Sequence, residues 1–225
     1  MKMKYEVVEV AARQIVGCSV RSANNAPDCQ QKIGALWEKM LHEERKEGIC
    51  YGLYTEYQWE DMSYLAVVGT EGSTCPADGV CIQIPAGTYA RFHFQGNVRT
   101  GIHALWQEIW KMELPRAYTV DFEEYVKCNA DGQGEVYVYV ALANYCQSCA
   151  MPMTTPEQYG TEADGTPSKE YCCYCRKNGA FVQDCTMEEM VEFCLQYGPA
   201  ASMDKEQARK QMSEYFSTLK RWQKK

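Results

Sequence analysis

Cys146-Gln-Ser-Cys149 and Cys172-Cys-Tyr-Cys175 are two Cys-x-x-Cys knuckles with 22 residues between them, and their reading divides the chain. Each knuckle offers two thiolates on one tight turn, and the intervening segment lets the turns meet, as tetrahedral Zn²⁺ requires. Four thiolates fill the coordination sphere, so the expected metal is structural; a catalytic one keeps an open position. Two disulfides or four unrelated buried thiols are the alternatives to Zn²⁺ on Cys146, Cys149, Cys172 and Cys175. Cys173 is a further thiolate inside the run, but its spacing to Cys175 is too tight for a usual knuckle. Working outward, residues 1–142 read as one domain, 143–200 as a zinc-ribbon module, and 201–225 as a C-terminal amphipathic helix.

Upstream of the knuckles a pattern occurs twice. Residues 5–20 are rich in β-branched side chains, as in a strand, and Asn24 to Pro27 break it. Ile33, Leu36, Trp37, Met40 and Leu41 then form one helical stripe, followed by a charged turn His42-Glu-Glu-Arg-Lys-Glu47 and a stop at Gly48. Cys50 to Tyr57 and Ser63 to Thr70 read as a hairpin. The second pass has a strand over Val80 to Phe94, a stripe of Ile102, Leu105, Trp106, Ile109 and Trp110, and strands over Ala117 to Val126 and Glu135 to Leu142. Ala35-Leu-Trp-Glu38 and Ala104-Leu-Trp-Gln107 occupy equivalent places, 69 residues apart. The expected fold class is α+β: a duplicated strand–helix–strand–strand unit whose sheets pair edge to edge, with both helices on one face. The other face must curve or be covered.

Downstream, Asn178-Gly179 signals a hairpin turn. Thr186-Met-Glu-Glu189 is a capping box opening a helix that runs to Tyr197 and stops at Gly198-Pro199. Asp204 to Trp222 form a terminal helix with Met212, Tyr215, Phe216, Leu219 and Trp222 on one stripe. That stripe must dock on the body, on the ribbon or on a second chain.

Charge and cysteine usage narrow the class. The net charge is −7 and hydrophobic residues make up 46% of 225 residues, which supplies a core and argues against nucleic-acid binding through bulk charge. The ribbon has eight acidic against three basic side chains, whereas the 25-residue tail has seven basic against three acidic. Met1-Lys-Met-Lys-Tyr-Glu6 has no apolar run behind it and no stretch approaches a membrane span, so the expectation is a cytoplasmic protein without membrane contact. Thirteen cysteines are then read as four ligands and nine scattered, reduced thiols, Cys75 and Cys81 included, although those two lie close enough in sequence for a disulfide or thiol-redox pair to be the alternative.

Residues 4–142 resemble the GyrI-like effector-binding domain, the ligand-sensing half of AraC-type and MerR-type multidrug regulators. The duplicated unit, Ile84-Pro-Ala-Gly-Thr-Tyr-Ala-Arg-Phe92, the helix with Trp106, and Asp121-Phe-Glu-Glu-Tyr125 carry the resemblance. Residues 146–197 resemble a zinc-ribbon module through Cys146-Gln-Ser-Cys-Ala-Met-Pro-Met153, Tyr159-Gly-Thr161 and Glu170-Tyr-Cys172. The first resemblance implies a pocket for hydrophobic, often cationic aromatic compounds with a buried glutamate at its base, which falls on Glu123. Tyr125 lies on the same strand face, and Trp106, Trp110, Tyr54 and Phe92 are the candidate walls. A carboxylate alone in an apolar cleft is costly, and a lipophilic cation compensates it. The plain alternatives are Trp106 and Trp110 as core, and Glu123-Glu124 as a solvated pair with Glu124 facing away.

The leading function is therefore a small-molecule sensor or sequestering protein for hydrophobic, cationic or aromatic compounds, resembling a regulator but without a helix-turn-helix. The rival is an enzyme, a hydrolase of strained cyclopropanoid electrophiles with Glu123 as general base. A third reading is a protein-interaction module of anti-gyrase type. The ribbon and the terminal helix are the candidate surfaces for a protein partner.

Overall fold

The computed structural model describes residues 3–43, 49–129, 131–197 and 204–223, with the side chains of 41–43 left aside. Most of the expected charged turn, and the helix stops at Gly48 and Gly198-Pro199, lie outside the described residues. The chain forms two compact units, Met1–Leu142 and Ala143–Lys225.

The first unit is one eight-stranded antiparallel sheet carrying two helices, in the order β1 (Glu6–Val10), β2 (Arg13–Ala23), α1 (Cys29–Glu43), β3 (Cys50–Gln58), β4 (Ser63–Glu71), β5 (Val80–Ile84), β6 (Gly87–Asn97), α2 (Val98–Trp110), β7 (Val120–Cys128) and β8 (Gln133–Ala141). The strand order is β1-β6-β8-β7-β3-β4-β2-β5, so the two halves meet at the β3–β7 pair. Two stretches expected as single strands are each two. The first breaks at residues 11–12 and the second at Pro85, which has no N–H to give a ladder. The repeating unit therefore gains a short leading strand, and the two leading strands are exchanged. β1 pairs with β6 of the second half, and β5 with β2 of the first.

This exchange explains the curvature. β1 and β2 lie at opposite ends of the sheet, yet only residues 11 and 12 separate them. Three peptide links span about 10 Å at most, so the two ends must approach each other. The sheet curls, and its concave side closes on Val10, Ile15, Tyr51, Leu53, Ile84, Tyr89 and Phe122. Both helices lie on the other face. Leu36 and Met40 of α1 pack with Tyr64, Ala66 and Val68 of β4. Ile102, Trp106 and Ile109 of α2 pack with Phe92 of β6 and with Val136, Val138 and Val140 of β8. With α1 mainly over β2 and β4, and α2 over β6 and β8, the central β3–β7 pair lies between them.

Cys75 and Cys81 are not independent thiols. They are joined as a disulfide with Cα atoms 5.6 Å apart, because the turn at residues 76–79, closed by the Gly79 N–H on the Pro76 carbonyl, folds the chain back.

The second unit is built from short ladders: β9 (Asn144–Tyr145) with β10 (Pro152–Met153), β11 (Tyr159–Thr161) with β12 (Pro167–Cys172), and β13 (Arg176–Lys177) with β14 (Ala180–Phe181). Asn178 and Gly179 take φ of 52° and 77° at the β13–β14 turn, the left-handed pair a tight hairpin needs. The capping box opens α3 (Met187–Tyr197): Thr186 N–H donates to Glu189 Oε2 and Glu189 N–H to Thr186 Oγ1. The terminal helix is shorter than its stripe predicts. α4 (Lys205–Phe216) ends where Ser217 and Thr218 hydroxyls donate back to the carbonyls of Glu214 and Tyr215. Leu219 and Trp222 follow in a turn, and with Phe216 they join the core around the cysteines. Apart from Tyr215, which stays exposed, the apolar stripe is thus spent on the ribbon.

Candidate functional site

Between α1 and α2, above β3 and β7, lies a cleft of about 1580 Å³, larger than the roughly 300–1,000 Å³ of ordinary ligand pockets. Glu123 projects into it from β7. The register explains its place: Gly52 of β3, Glu123, Val138 of β8 and Phe92 of β6 sit opposite one another across four strands, on the helix-bearing face. Glu123 is 1% exposed. Tyr54 Oη donates to its Oε1 at 2.9 Å, Trp106 Nε1 to the same oxygen at 2.5 Å, and Tyr125 Oη to Oε2 at 2.8 Å. Burial raises the Glu123 pKa above the ordinary carboxyl range, while the three donors pull it partway back. The Tyr54 and Tyr125 hydroxyls, buried beside that carboxylate, are held well above their usual pKa and stay donors.

Asp121, two residues back on the same face, supplies the comparison. It is fully buried, accepts from Tyr57 Oη at 2.7 Å and from the Ala141 N–H at 2.8 Å, and forms an ion pair with Arg116. Glu123 has three neutral donors and, among the described residues, no cation. One buried acid on this strand comes with its counter-charge and its neighbour does not.

Of the expected site residues, Glu123, Tyr125, Trp106, Trp110 and Tyr54 line the cleft. Phe92 does not. It is 1% exposed, lies under α2 in the core and packs against the ring of Tyr5 at 5.4 Å. It shares the helix-bearing face with Glu123, but α2 covers it. Glu124 faces the concave side as alternation demands, yet it is no solvated partner. It accepts from Tyr139 Oη at 2.9 Å, Arg13 Nη1 at 3.1 Å and Tyr51 Oη at 3.2 Å.

Trp37, which the sequence places on the α1 stripe without marking it as a wall, also lines the cleft. Its ring meets Tyr125 edge-on at 4.6 Å, as Trp106 meets Tyr54 at 5.5 Å. Each helix thus presents its tryptophan to a tyrosine of the other half, on either side of Glu123. The signal was available, since Trp37 and Trp106 are the matching residues of the 69-residue repeat. Gly52 makes room between them: a Cβ there would sit 3.0 Å from Glu123 Oε2 and 3.3 Å from Trp37 Cζ2. Gly52→Ala is expected to destabilise the first unit by about 1–3 kcal/mol through overpacking, read as an earlier urea midpoint for that unit; an unchanged midpoint would show that the carboxylate moves aside freely.

In the second unit, Cys146, Cys149, Cys172 and Cys175 bring their four sulfurs within 4.8 Å of one another. Metal–sulfur bonds of about 2.3 Å in a tetrahedron put sulfurs about 3.8 Å apart, and Cys149 and Cys172 Sγ are 3.7 Å apart. Each knuckle is a closed turn, with Ala150 N–H on the Cys146 carbonyl and Cys175 N–H on that of Cys172, and the Cys172 N–H points at Cys146 Sγ, 3.3 Å away. The donor set fits a metal ion. Cys173 stands outside it, its N–H bound to the Gln158 carbonyl.

Curled sheet, paired helices and intervening cleft define an effector-binding domain of the GyrI-like class, followed by a cysteine-ligand ribbon. The model of the integron-associated effector binding protein family matches residues 6–142, and the chain belongs to that family; the model of a zinc ribbon domain matches residues 145–223. Among solved structures, an integron cassette protein from the mobile metagenome of Vibrio cholerae is 26% identical with a TM-score of 0.52, over 61% of this chain and 94% of that one. SAV2435, solved with tetraphenylphosphonium bound, shares the fold at 16% identity and a TM-score of 0.50, over 61% and 93%. A transcription regulation protein from Staphylococcus aureus does so at 17% and 0.50, over 61% and 97%. No curated protein sequence matches the chain. Among the described residues, no helix is long and apolar enough to cross a membrane.

Proposed function

We propose that the first unit binds lipophilic cations bearing aromatic groups, with Glu123 as the counter-charge and Trp37, Tyr54, Trp106 and Tyr125 as the enclosing rings, in a sensing or sequestering role. The observation that carries this is the contrast on β7: Asp121 is paired with Arg116, whereas Glu123 is equally buried and lacks a cation. A buried carboxylate without a counter-charge is costly, and a cation that arrives with the ligand removes that cost. Ring faces add about 0.5–2 kcal/mol each by cation–π attraction. SAV2435 holds a cation of this kind, which agrees with the ligand class; on this chain the argument rests on Glu123. Three donors already spent on the carboxylate favour a fixed acceptor over a general base. We further infer that the four cysteines hold structural Zn²⁺, the ion for which an all-thiolate tetrahedron is the common site.

The test is proton linkage. A cation needs Glu123 ionised, and its folded pKa lies above the unfolded value because burial favours the neutral form. Affinity for a cation is therefore complete above the raised pKa and declines as pH falls through it. Without ligand the sign is opposite: the folded state holds the proton longer, so this group costs stability as pH rises between the two values. Calorimetry in buffers of different ionisation enthalpy should show proton release on binding benzyltrimethylammonium, increasing toward acid pH. Cation binding with no proton release at any pH between 4 and 8 overturns the role assigned to Glu123.

A further inference from the structure

The cleft has a second feature, at its mouth. Trp59 and Met62, the first and last residues of the β3–β4 turn, are each 59% exposed, and Tyr118, just before β7, is 39% exposed. All three line the cleft that holds Glu123. Single exposed apolar side chains are ordinary, but three on one lip leave a patch that water solvates poorly and that marks an interaction site. The lip is also held in place. Met62 and Tyr118 take left-handed backbone, φ 58° and 53°, a conformation that costs on the order of 1–3 kcal/mol and persists only where the surroundings impose it. Arg116, fixed by its ion pair with Asp121, lies 4.6 Å over one face of the Tyr118 ring. Trp59 meets Tyr118 edge-on at 4.7 Å.

From this lip rings continue inward without a gap. Tyr118 contacts Tyr57 at 5.6 Å, Tyr57 contacts Tyr64 at 6.1 Å, Tyr64 contacts Tyr54 at 5.6 Å, and the Tyr54 hydroxyl donates to Glu123. Among the described residues, the charged side chains on the tyrosine wall itself are Arg116 with Asp121, already paired, and Glu123; Glu60 and Asp61 lie in the lip turn between Trp59 and Met62.

We propose that Trp59 and Tyr118 form a second contact point which selects cations carrying an extended planar aryl group over compact ones. This deepens the reading of Glu123 as the counter-charge and rests on it. The ligand places its cationic centre at the floor, on Glu123, and lays its aryl part along the tyrosine wall to the lip, where the indole of Trp59 stacks on it. The ligand class is an elongated aryl cation with one positive centre, and the lip discriminates by reach and ring area.

The experiment compares two probes with one head group, benzyltrimethylammonium and (anthracen-2-ylmethyl)trimethylammonium, whose three fused rings extend straight away from the head group, by calorimetry on the full chain. Trp59→Ala should weaken the anthracenyl compound about tenfold and the benzyl compound less than twofold. Trp59→Phe should recover most of the loss and Trp59→Leu little of it, which separates ring stacking from bulk. Equal weakening of both probes by Trp59→Ala, or of neither, overturns the lip while leaving Glu123 in place. If Glu123→Gln leaves both affinities unchanged, the floor reading fails, and the lip as a second point fails with it. If sedimentation shows a dimer that Trp59→Ala dissociates, the lip is a contact between copies and the proposal is overturned.

Discussion

Cys149→Ser, or chelation of the full chain, is expected to unfold the ribbon unit while the sheet unit stays folded. Four buried or half-buried thiols sit within one knot, and Met153, Met190, Val191, Leu195, Phe216 and Leu219 pack around it. That core is small and its ladders are two to six residues long, too little to hold a fold without a staple. A structural metal in such a site contributes on the order of 10 kcal/mol, more than a unit of this size holds in reserve. Elemental analysis should return one zinc per chain. Proton–nitrogen spectra of the Cys149→Ser chain should lose dispersion for residues 143–223 and keep it for 5–142. Retained ribbon dispersion in a metal-free chain would show that packing alone holds the second unit, and the metal reading would fall. Because Trp222 Nε1 donates to the Ser148 carbonyl at 2.8 Å and Arg221 Nη1 to Ser148 Oγ at 2.9 Å, the end of the chain should melt with the knuckles.

Glu123→Gln is expected to lower affinity for benzyltrimethylammonium about 100-fold, near 3 kcal/mol, the range for removing one partner of a buried charge pair. Neutral aryl compounds should change by less than about threefold, since the amide keeps the shape and can accept from Tyr54 and Trp106. The same substitution removes an ionisable group buried without a cation, so the ligand-free sheet unit should unfold at higher urea than the parent at pH 7. The opposite signs are diagnostic, because stability is traded for a counter-charge only where that charge has a use. Equal weakening of cations and neutral compounds would show that shape rather than charge sets affinity.

How much of this was legible in the sequence varies with the range of the interaction concerned. The knuckles were, since a metal site is written in residue type and local spacing. So was the duplicated unit, because helical and strand periodicity are local and the Leu-Trp pair recurs at one offset. The face of Glu123 followed from strand alternation once the GyrI-like resemblance marked it. The pairing of Cys75 with Cys81 was not, because spacing alone does not distinguish neighbouring thiols from a bond. Phe92 shares a face with Glu123, yet only the placement of α2 shows that it is covered. Trp37 carried the same stripe signal as Trp106, and stripes do not tell core from cleft.

The chain's own order of residues thus determined the metal knot, the two-fold repetition and a strand that carries acids on its helix-side face. Tertiary structure decided the exchange of leading strands that curls the sheet, the spread of two helices that bares its central pair, and which acid received a partner. The physical reason is range. Turn chemistry and periodicity act over a few residues, whereas the state of Glu123 depends on Gly52, Trp37 and Tyr54, brought to it from 69 to 86 positions away.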